Sequence, residues 1–503
     1  MSWAFRNSNY KILTRLGVVV FGCWISSCSD FLDEVPDNRV ALDDLGKASQ
    51  LLTNAYSQAS YAFTDWMSDN VSWTRGTSLR TSHLQIYRWE DVTTGPDELD
   101  TPDFYWFQTY NAIAHANEVL AVLDELPANT EEEREQKDAI EAEALLTRAY
   151  GHFMLVNLFA EHISPQTNSE PGIPYIKDPE TTFIGTYERE SIRRVYNEIE
   201  DDLLDGLQLV NDNFFENSGK YHFNRNAALA FASRFYLFRG DVNRCIDYST
   251  QLLGQDPGAF IRDLTSAEFQ NASSSIQGYP QLYTSPDLPS NLMLMRKVSL
   301  VQRLDFAFGP NESFYSELFA SRPFAGTTDE RENPAFVKGD NALFPVRYQS
   351  LFERNSLNSN VGTPYYIAIA FSGEEVLLNR AESYIIQNDL DAAIADLQVL
   401  TDRRYSGAPA VITLERLRSF FGEEDNPAFS DQLILLNYIL FERRKEFIAQ
   451  GMRWFDIKRY GFSVTHNLQD EISTIRLNAD DRRKVLQIPQ SAIDVGGLEP
   501  NPR

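Results

Sequence analysis

Residues 377–400 read LLNRAESYIIQNDLDAAIADLQVL. Small Ala381 is followed by Tyr384, then by the pair Asn388-Asp389, then by Ala393, Leu397 and Leu400. Apolar and small residues at this spacing follow the period of a helix, and the Asn-Asp pair interrupts it. The stretch reads as two antiparallel helices whose small residues let the backbones approach closely, the pattern of a tetratricopeptide unit. Working outward, Leu145-Leu146-Thr147-Arg148-Ala149 shares the pattern LLxRA with Leu377 to Ala381. A further copy runs through Leu229, Ser233, Tyr236, Gly240-Asp241, Cys245, Leu252 and Pro257. The copies do not recur at a fixed period, which excludes a simple solenoid. The expected fold is mainly α, a tetratricopeptide-like helical-pair scaffold.

Other helices fit this reading. Over Phe104–Leu126, Trp106, Tyr110, Ile113 and Asn117 fall on one face, and Pro127 ends the stretch. Glu131–Phe159 reads as one long helix with an acidic start, as the helix dipole favours. Glu190–Val210 is amphipathic. Residues 254–363 break the rhythm with Ser, Pro, Gly and aromatics, and read as a large irregular loop-rich lobe inserted between scaffold segments at about 46–253 and 364–503. Near the C-terminus, LILLNYILFERRKEFIAQGMRWFDIKRYG (433–461) has an apolar stripe, a break at Gly451 and a second helix from Arg453.

The N-terminus is different in kind. Residues 1–27 carry Arg6, Lys11 and Arg15 and no acid, then the apolar run LGVVVFGCWI. That run is too short to span a membrane and reads as a secretory signal. Ile25-Ser26-Ser27-Cys28 resembles a lipobox, which makes Cys28 the lipidated N-terminus of a mature chain, residues 28–503. Acyl chains would then hold the protein to a membrane without a spanning helix.

Composition narrows the function. The 45 Lys and Arg against 72 Asp and Glu give a net charge of −27 over 503 residues. A nucleic-acid binder needs a basic footprint, so that class is excluded. Cys23 leaves with the signal and Cys28 is acylated, so Cys245 has no disulfide partner. Aromatics are 13% of the chain, more than a core requires, and surplus rings on an acidic protein suit neutral ligands.

Taken together, these stretches resemble the SusD/RagB family of Bacteroidetes outer-membrane lipoproteins. The resemblance rests on Cys28 followed by SDFLDEVP, on the Trp106–Asn117 face, on LLNRAESY, on Asp329 with Arg331, and on ERRKEFIAQGMRWFDIKRYG (442–461). Residues 254–345 match no motif. The resemblance implies a cell-surface, lipid-anchored protein of the outer membrane that binds glycan and delivers it to a SusC-like TonB-dependent transporter. The alternatives are an oligopeptide-capturing lid of the same family or a surface glycoside hydrolase.

No enzyme motif is found. GxSxG, HExxH, P-loop and GxGxxG patterns are absent, and the His residues never pair at metal spacing. Neither a catalytic residue nor a cofactor is expected. A structural calcium in the irregular lobe is the one cation left open. Arg443, Arg444, Arg453 and Arg459 lie among Glu442, Glu446 and Asp456 and read as ion pairs joining helices. A sugar ring packs its C–H face on an aromatic ring while its hydroxyls need polar groups at the rim. Two non-helical segments offer both. The first holds Trp66, Asp69, Asn70, Trp73, Arg75, Arg80, Tyr87 and Trp89. The second holds Tyr279, Tyr283, Phe306, Phe308, Asn311 and Tyr315. These are the candidate ligand residues.

Overall fold

The computed structural model describes residues 42–503 apart from 75–77, 181–184, 216, 218, 304–305, 338–342, 425 and 471. The signal segment and Cys28 lie outside the described residues. Helices carry the architecture. They are α1 (Leu45–Leu52), α2 (Thr81–Tyr87), α3 (Pro102–Leu123), α4 (Glu131–Phe159), α5 (Ile192–Leu209), α6 (Arg225–Arg239) and α7 (Val242–Leu253). After the short α8 (Ala267–Ala272), α9 (Gly278–Tyr283) and α10 (Glu312–Ala320) come α11 (Gly373–Ile386), α12 (Leu390–Thr401), α13 (Leu414–Phe421), α14 (Asp431–Glu446), α15 (Arg453–Tyr460) and α16 (Gln490–Asp494). None of the described helices is long and apolar enough to cross a membrane.

Local chemistry sets the helix ends. Thr101 caps α3 and Pro102 opens it, where a missing N–H costs nothing. Thr130 and Glu133 form a reciprocal capping box at the start of α4. The repeated pattern produces the same turn twice. Gly240 ends α6 with φ +81°, and Asn388 occupies the equivalent place after α11 with φ +64°. In both turns the following Asp donates its N–H back to a Tyr carbonyl at 2.9 Å, Tyr236 in one and Tyr384 in the other. That Asp then caps the next helix. Glycine and asparagine are the residues that enter the left-handed region most readily, so these positions fix the hairpins.

The LLxRA arginines also act alike. Arg148 on α4 donates two bonds to Asp202 on α5, at 2.7 and 2.8 Å. Arg380 on α11 does the same to Asp396 on α12, at 2.8 and 2.7 Å. Each pair is buried and locks a helix to its successor. Small residues let the pairs close up. A Cβ on Gly206 would stand 2.7 Å from Leu146 Cγ, so α5 lies against α4 at a distance only glycine permits. Ser233 on α6, Cys245 and Ser249 on α7 and Asn379 on α11 meet in one buried contact, with Ser249 donating to Ser233 at 2.9 Å. Burial pushes the Cys245 thiol up to about 11, so it is a small core residue and not a nucleophile.

The segment 254–363, expected to be loop-rich, holds strands as well as α8 to α10. Strand β2 (Asn291–Val298) pairs antiparallel with β8 (Gly362–Ser372), which also pairs with β7 (Leu351–Arg354). Almost every residue of β2 is buried, so the alternation that marks a half-exposed strand is missing from its sequence. Short two-stranded pairings complete the set: β1 (Ser72–Trp73) with β3 (Phe308–Gly309), β4 (Thr327–Asp329) with β9 (Tyr405–Gly407), β5 (Ala335–Val337) with β6 (Leu343–Pro345), and β10 (Val464–Asn467) with β11 (Thr474–Leu477).

Candidate functional site

The two aromatic segments expected to face a ligand do meet, but as interior. Trp73 on β1 stands opposite Phe308 on β3. The Trp66 ring lies 4.8 Å from Phe306. Tyr87 is sandwiched between Phe308 at 4.5 Å and His466 at 4.3 Å, and Trp89 stacks on the same histidine. Trp66, Trp73, Tyr87, Trp89, Phe306 and Phe308 are all no more than 8% exposed. Tyr279 and Tyr283 stack on each other in a separate cluster with Phe269, Tyr348 and Tyr366, and Tyr315 packs with Phe319 and Ile448. The rings called ligand surface are therefore core: ring-on-ring packing has taken the faces a sugar would need.

The polar members are mostly engaged too. Asp69 accepts from Arg453 at 2.8 and 2.9 Å and lies 3.4 Å from Arg444. Burial would raise its carboxyl, but the Arg444 and Arg453 charges hold it down at about 2. Asn70 accepts from Arg444 at 2.8 Å. Asn311 caps α10 and donates to Ser72 at 3.1 Å. Arg80 stays half-exposed, 3.7 Å from Glu98, and Arg75 lies outside the described residues. Of the four C-terminal arginines expected to join helices, Arg443 and Arg459 do so, whereas Arg444 and Arg453 turn to Asp69 instead. Arg443 on α14 lies 3.2 Å from Asp456 on α15, and Arg459 reaches Glu382 on α11 at 2.7 Å.

Accessible rings occur elsewhere. The face of α3 read from the sequence anchors the loop that follows α4. Tyr110 donates to the Pro174 carbonyl at 2.9 Å and Asn117 to that of Ile176 at 3.0 Å. His152 on α4 accepts the Ile176 N–H at 3.0 Å through Nε2, while its Nδ1 bonds the Arg148 carbonyl at 2.9 Å. Its ring stacks on Tyr175 at 3.9 Å, and Tyr175 donates to Asp202 at 2.6 Å. Arg189 then ties the loop to the C-terminal segment through the Gly172 and Glu499 carbonyls.

Held this way, the loop, α3 and residues 491–498 enclose a cleft of about 690 Å³. Phe107, Tyr110 and Tyr187 line it half-buried. Gln108, Asn111, Asp178 and Glu180 supply the polar groups. Tyr187 donates to Glu180 at 2.6 Å, and burial together with that carboxylate pushes its phenol up to about 12. Flat walls beside amides and carboxylates suit a ligand with alternating apolar and hydroxylated faces. Tyr110 was visible in the sequence, but as a packing position. Phe107 sits one step off that face and Tyr187 in an aperiodic loop, so neither carried a periodic signal. Among the described residues, no group of His, Cys, Asp or Glu is arranged to hold a metal ion.

Comparison with known proteins agrees with this architecture. Residues 30–237 match the family model described as "Starch-binding associating with outer membrane", and residues 374–497 match the one described as "SusD family". No curated protein matches by sequence. Among solved structures, a putative sugar binding protein from Bacteroides vulgatus ATCC 8482 is 20% identical with TM-score 0.67, covering 92% of this chain and 99% of its own. A SusD superfamily protein from Bacteroides thetaiotaomicron VPI-5482 is 18% identical with TM-score 0.64, over 92% and 100% of the two chains. A laminarin binding SusD-like protein is 17% identical with TM-score 0.60, over 91% and 98%. The two matched regions hold both LLxRA helices and the ERRKEF segment, and the chain belongs to the SusD/RagB family.

Proposed function

We propose that this protein is a cell-surface lipoprotein that binds glycan and passes it to a SusC-like TonB-dependent transporter of the outer membrane. The observation that carries the glycan reading is the cleft lined by the half-buried rings of Phe107, Tyr110 and Tyr187 together with Gln108, Asn111 and Glu180. Its volume is that of an ordinary ligand pocket. The laminarin-binding relative shares the fold and supports the same ligand class. Binding without turnover fits the absence of an enzyme motif from the sequence.

Isothermal titration of the mature chain against a polysaccharide and oligosaccharide panel tests this. The expected affinity is micromolar to millimolar, about −8 to −4 kcal/mol. Tyr187→Ala and Phe107→Ala should each weaken it roughly ten-fold, the worth of one lost stacking ring. Unchanged affinity in both variants would move the site elsewhere. Binding of peptides but of no glycan would replace the ligand class, and new reducing ends on incubation would reinstate the glycosidase.

The anchor is tested separately. Cys28→Ala should leave the protein soluble or accumulate its uncleaved precursor, read by fractionation and intact mass. A processed, membrane-bound variant would refute lipidation at Cys28.

A further inference from the structure

A second, smaller cleft of about 340 Å³ lies between residues 86–94, the start of α3 and the C-terminal residues 483–503. None of its lining residues lines the cleft proposed for glycan. Asp103 lines it and is only 7% exposed. Burial pushes its carboxyl up to about 6, and among the described residues no charge or hydrogen bond offsets that. The dipole of α3 eases a negative charge in the first turn but supplies no hydrogen-bond donor to the carboxylate oxygens. Thr94 also lines the cleft, and its buried hydroxyl has no hydrogen-bond partner. Native proteins rarely leave such a hydroxyl unsatisfied, because it costs free energy.

The unsatisfied groups select the ligand. Asp103 needs a donor, and a positive donor gains most from a desolvated carboxylate. Glu90 adds a second acid at the mouth. The two arginines of the cleft are already committed, Arg503 to Asp91 at 2.6 Å and Arg483 to Asp481 at 2.7 Å, so an anion finds no free cation there. No metal-holding group of acids or imidazoles occurs among the described residues, which leaves a metal ion too few ligands. We propose that this cleft binds a primary ammonium carried on a small polar scaffold the size of a hexosamine, with Asp103 as counter-ion and Thr94 receiving a neighbouring hydroxyl. The inference does not depend on the glycan cleft.

Glucosamine and glucose, which differ at one position in ammonium against hydroxyl, are the probes, titrated into the mature chain at pH 7.5. Glucosamine should bind roughly ten-fold more tightly, the worth of a charge-assisted hydrogen bond over a neutral one. Asp103→Asn should abolish that preference without lowering the unfolding midpoint, because the carboxylate has no internal partner to lose. Tyr187→Ala should leave glucosamine binding unchanged, which separates this site from the glycan cleft. Equal binding of the two sugars, binding of neither, or a preference that survives Asp103→Asn would overturn the proposal.

Discussion

Arg331→Ala should cost about 3–5 kcal/mol of stability, the price of stranding buried charges. Arg331 is 1% exposed. Its Nε and Nη2 donate to the two oxygens of Asp329 at 2.8 and 2.7 Å, and Nη2 also reaches Glu442 at 2.7 Å and the Tyr405 hydroxyl at 2.9 Å. The network continues from Glu446 through Arg404 to Glu374, and from Glu374 to Arg262. It joins β4 to α14 and α14 to α11, so the irregular lobe is fastened to the scaffold through charge. Burial alone would raise the Asp329 carboxyl, but Arg331 and Lys445 beside it reverse this and hold it well below the usual carboxylate range. Removing Arg331 leaves Asp329 with Lys445 at 3.2 Å and Glu442 with weaker partners. Urea unfolding at pH 7 measures the effect, and a loss under about 1 kcal/mol would show that the network relaxes around the vacancy.

Two sets of buried groups, histidines and ion-paired carboxylates, should each cost stability as pH falls, in two stages. His152 is held neutral: burial, then the Arg148 and Lys177 charges, lower it to about 3. Burial likewise lowers His162 to about 3 and His83 to about 4. A base whose folded pKa is depressed gives stability that is complete above its unfolded value near 6.5 and is lost as pH falls toward the folded value. The first stage therefore opens just below pH 6.5, each histidine costing up to about 1.4 kcal/mol per pH unit. Burial pushes the carboxyls of Asp65, Asp100 and Asp103 up to about 7, 6 and 6, so these take up protons in the folded chain and offset part of that cost. The second opens near pH 4.5, where Asp69 and Glu446, both held down at about 2, begin to bind protons in the unfolded chain. For Glu446, burial opposes the shift and Arg404 drives it. Urea midpoints measured from pH 7 to 4 test the first stage. His152→Gln should shift that slope toward greater stability at low pH, and a His152→Gln curve parallel to wild type between pH 6.5 and 4.5 would refute it.

How far the sequence reached differs between scaffold and site. The small residues and the Gly-Asp and Asn-Asp turns placed α6 with α7 and α11 with α12, because they act within a few residues of chain. The LLxRA pattern marked a repeat, but that its arginines tie each helix to the next through Asp202 and Asp396 came only with the fold. Arg443, Arg444, Arg453 and Arg459 read as helix-joining ion pairs, which holds for Arg443 and Arg459 but not for Arg444 and Arg453, both paired with Asp69. That Arg331 would close the network on Glu442 was not legible, since 111 residues separate them.

The ligand surface was the weak point. Trp66, Trp73, Tyr87 and Phe308 have the chemistry to stack on a sugar, and the same chemistry fills a core. Pairing of β1 with β3 brings them together across more than 200 residues and turns their faces inward. Phe107 and Tyr187 line the cleft half-buried, beside the loop at 174–176 that Tyr110, Asn117 and His152 hold in place. The sequence by itself determined the helical-pair scaffold, its turns and the buried arginines, through local periodicity and backbone conformation. Only the tertiary structure decided which aromatic rings are spent on packing and which remain free, because exposure is a property of long-range contacts and not of residue type.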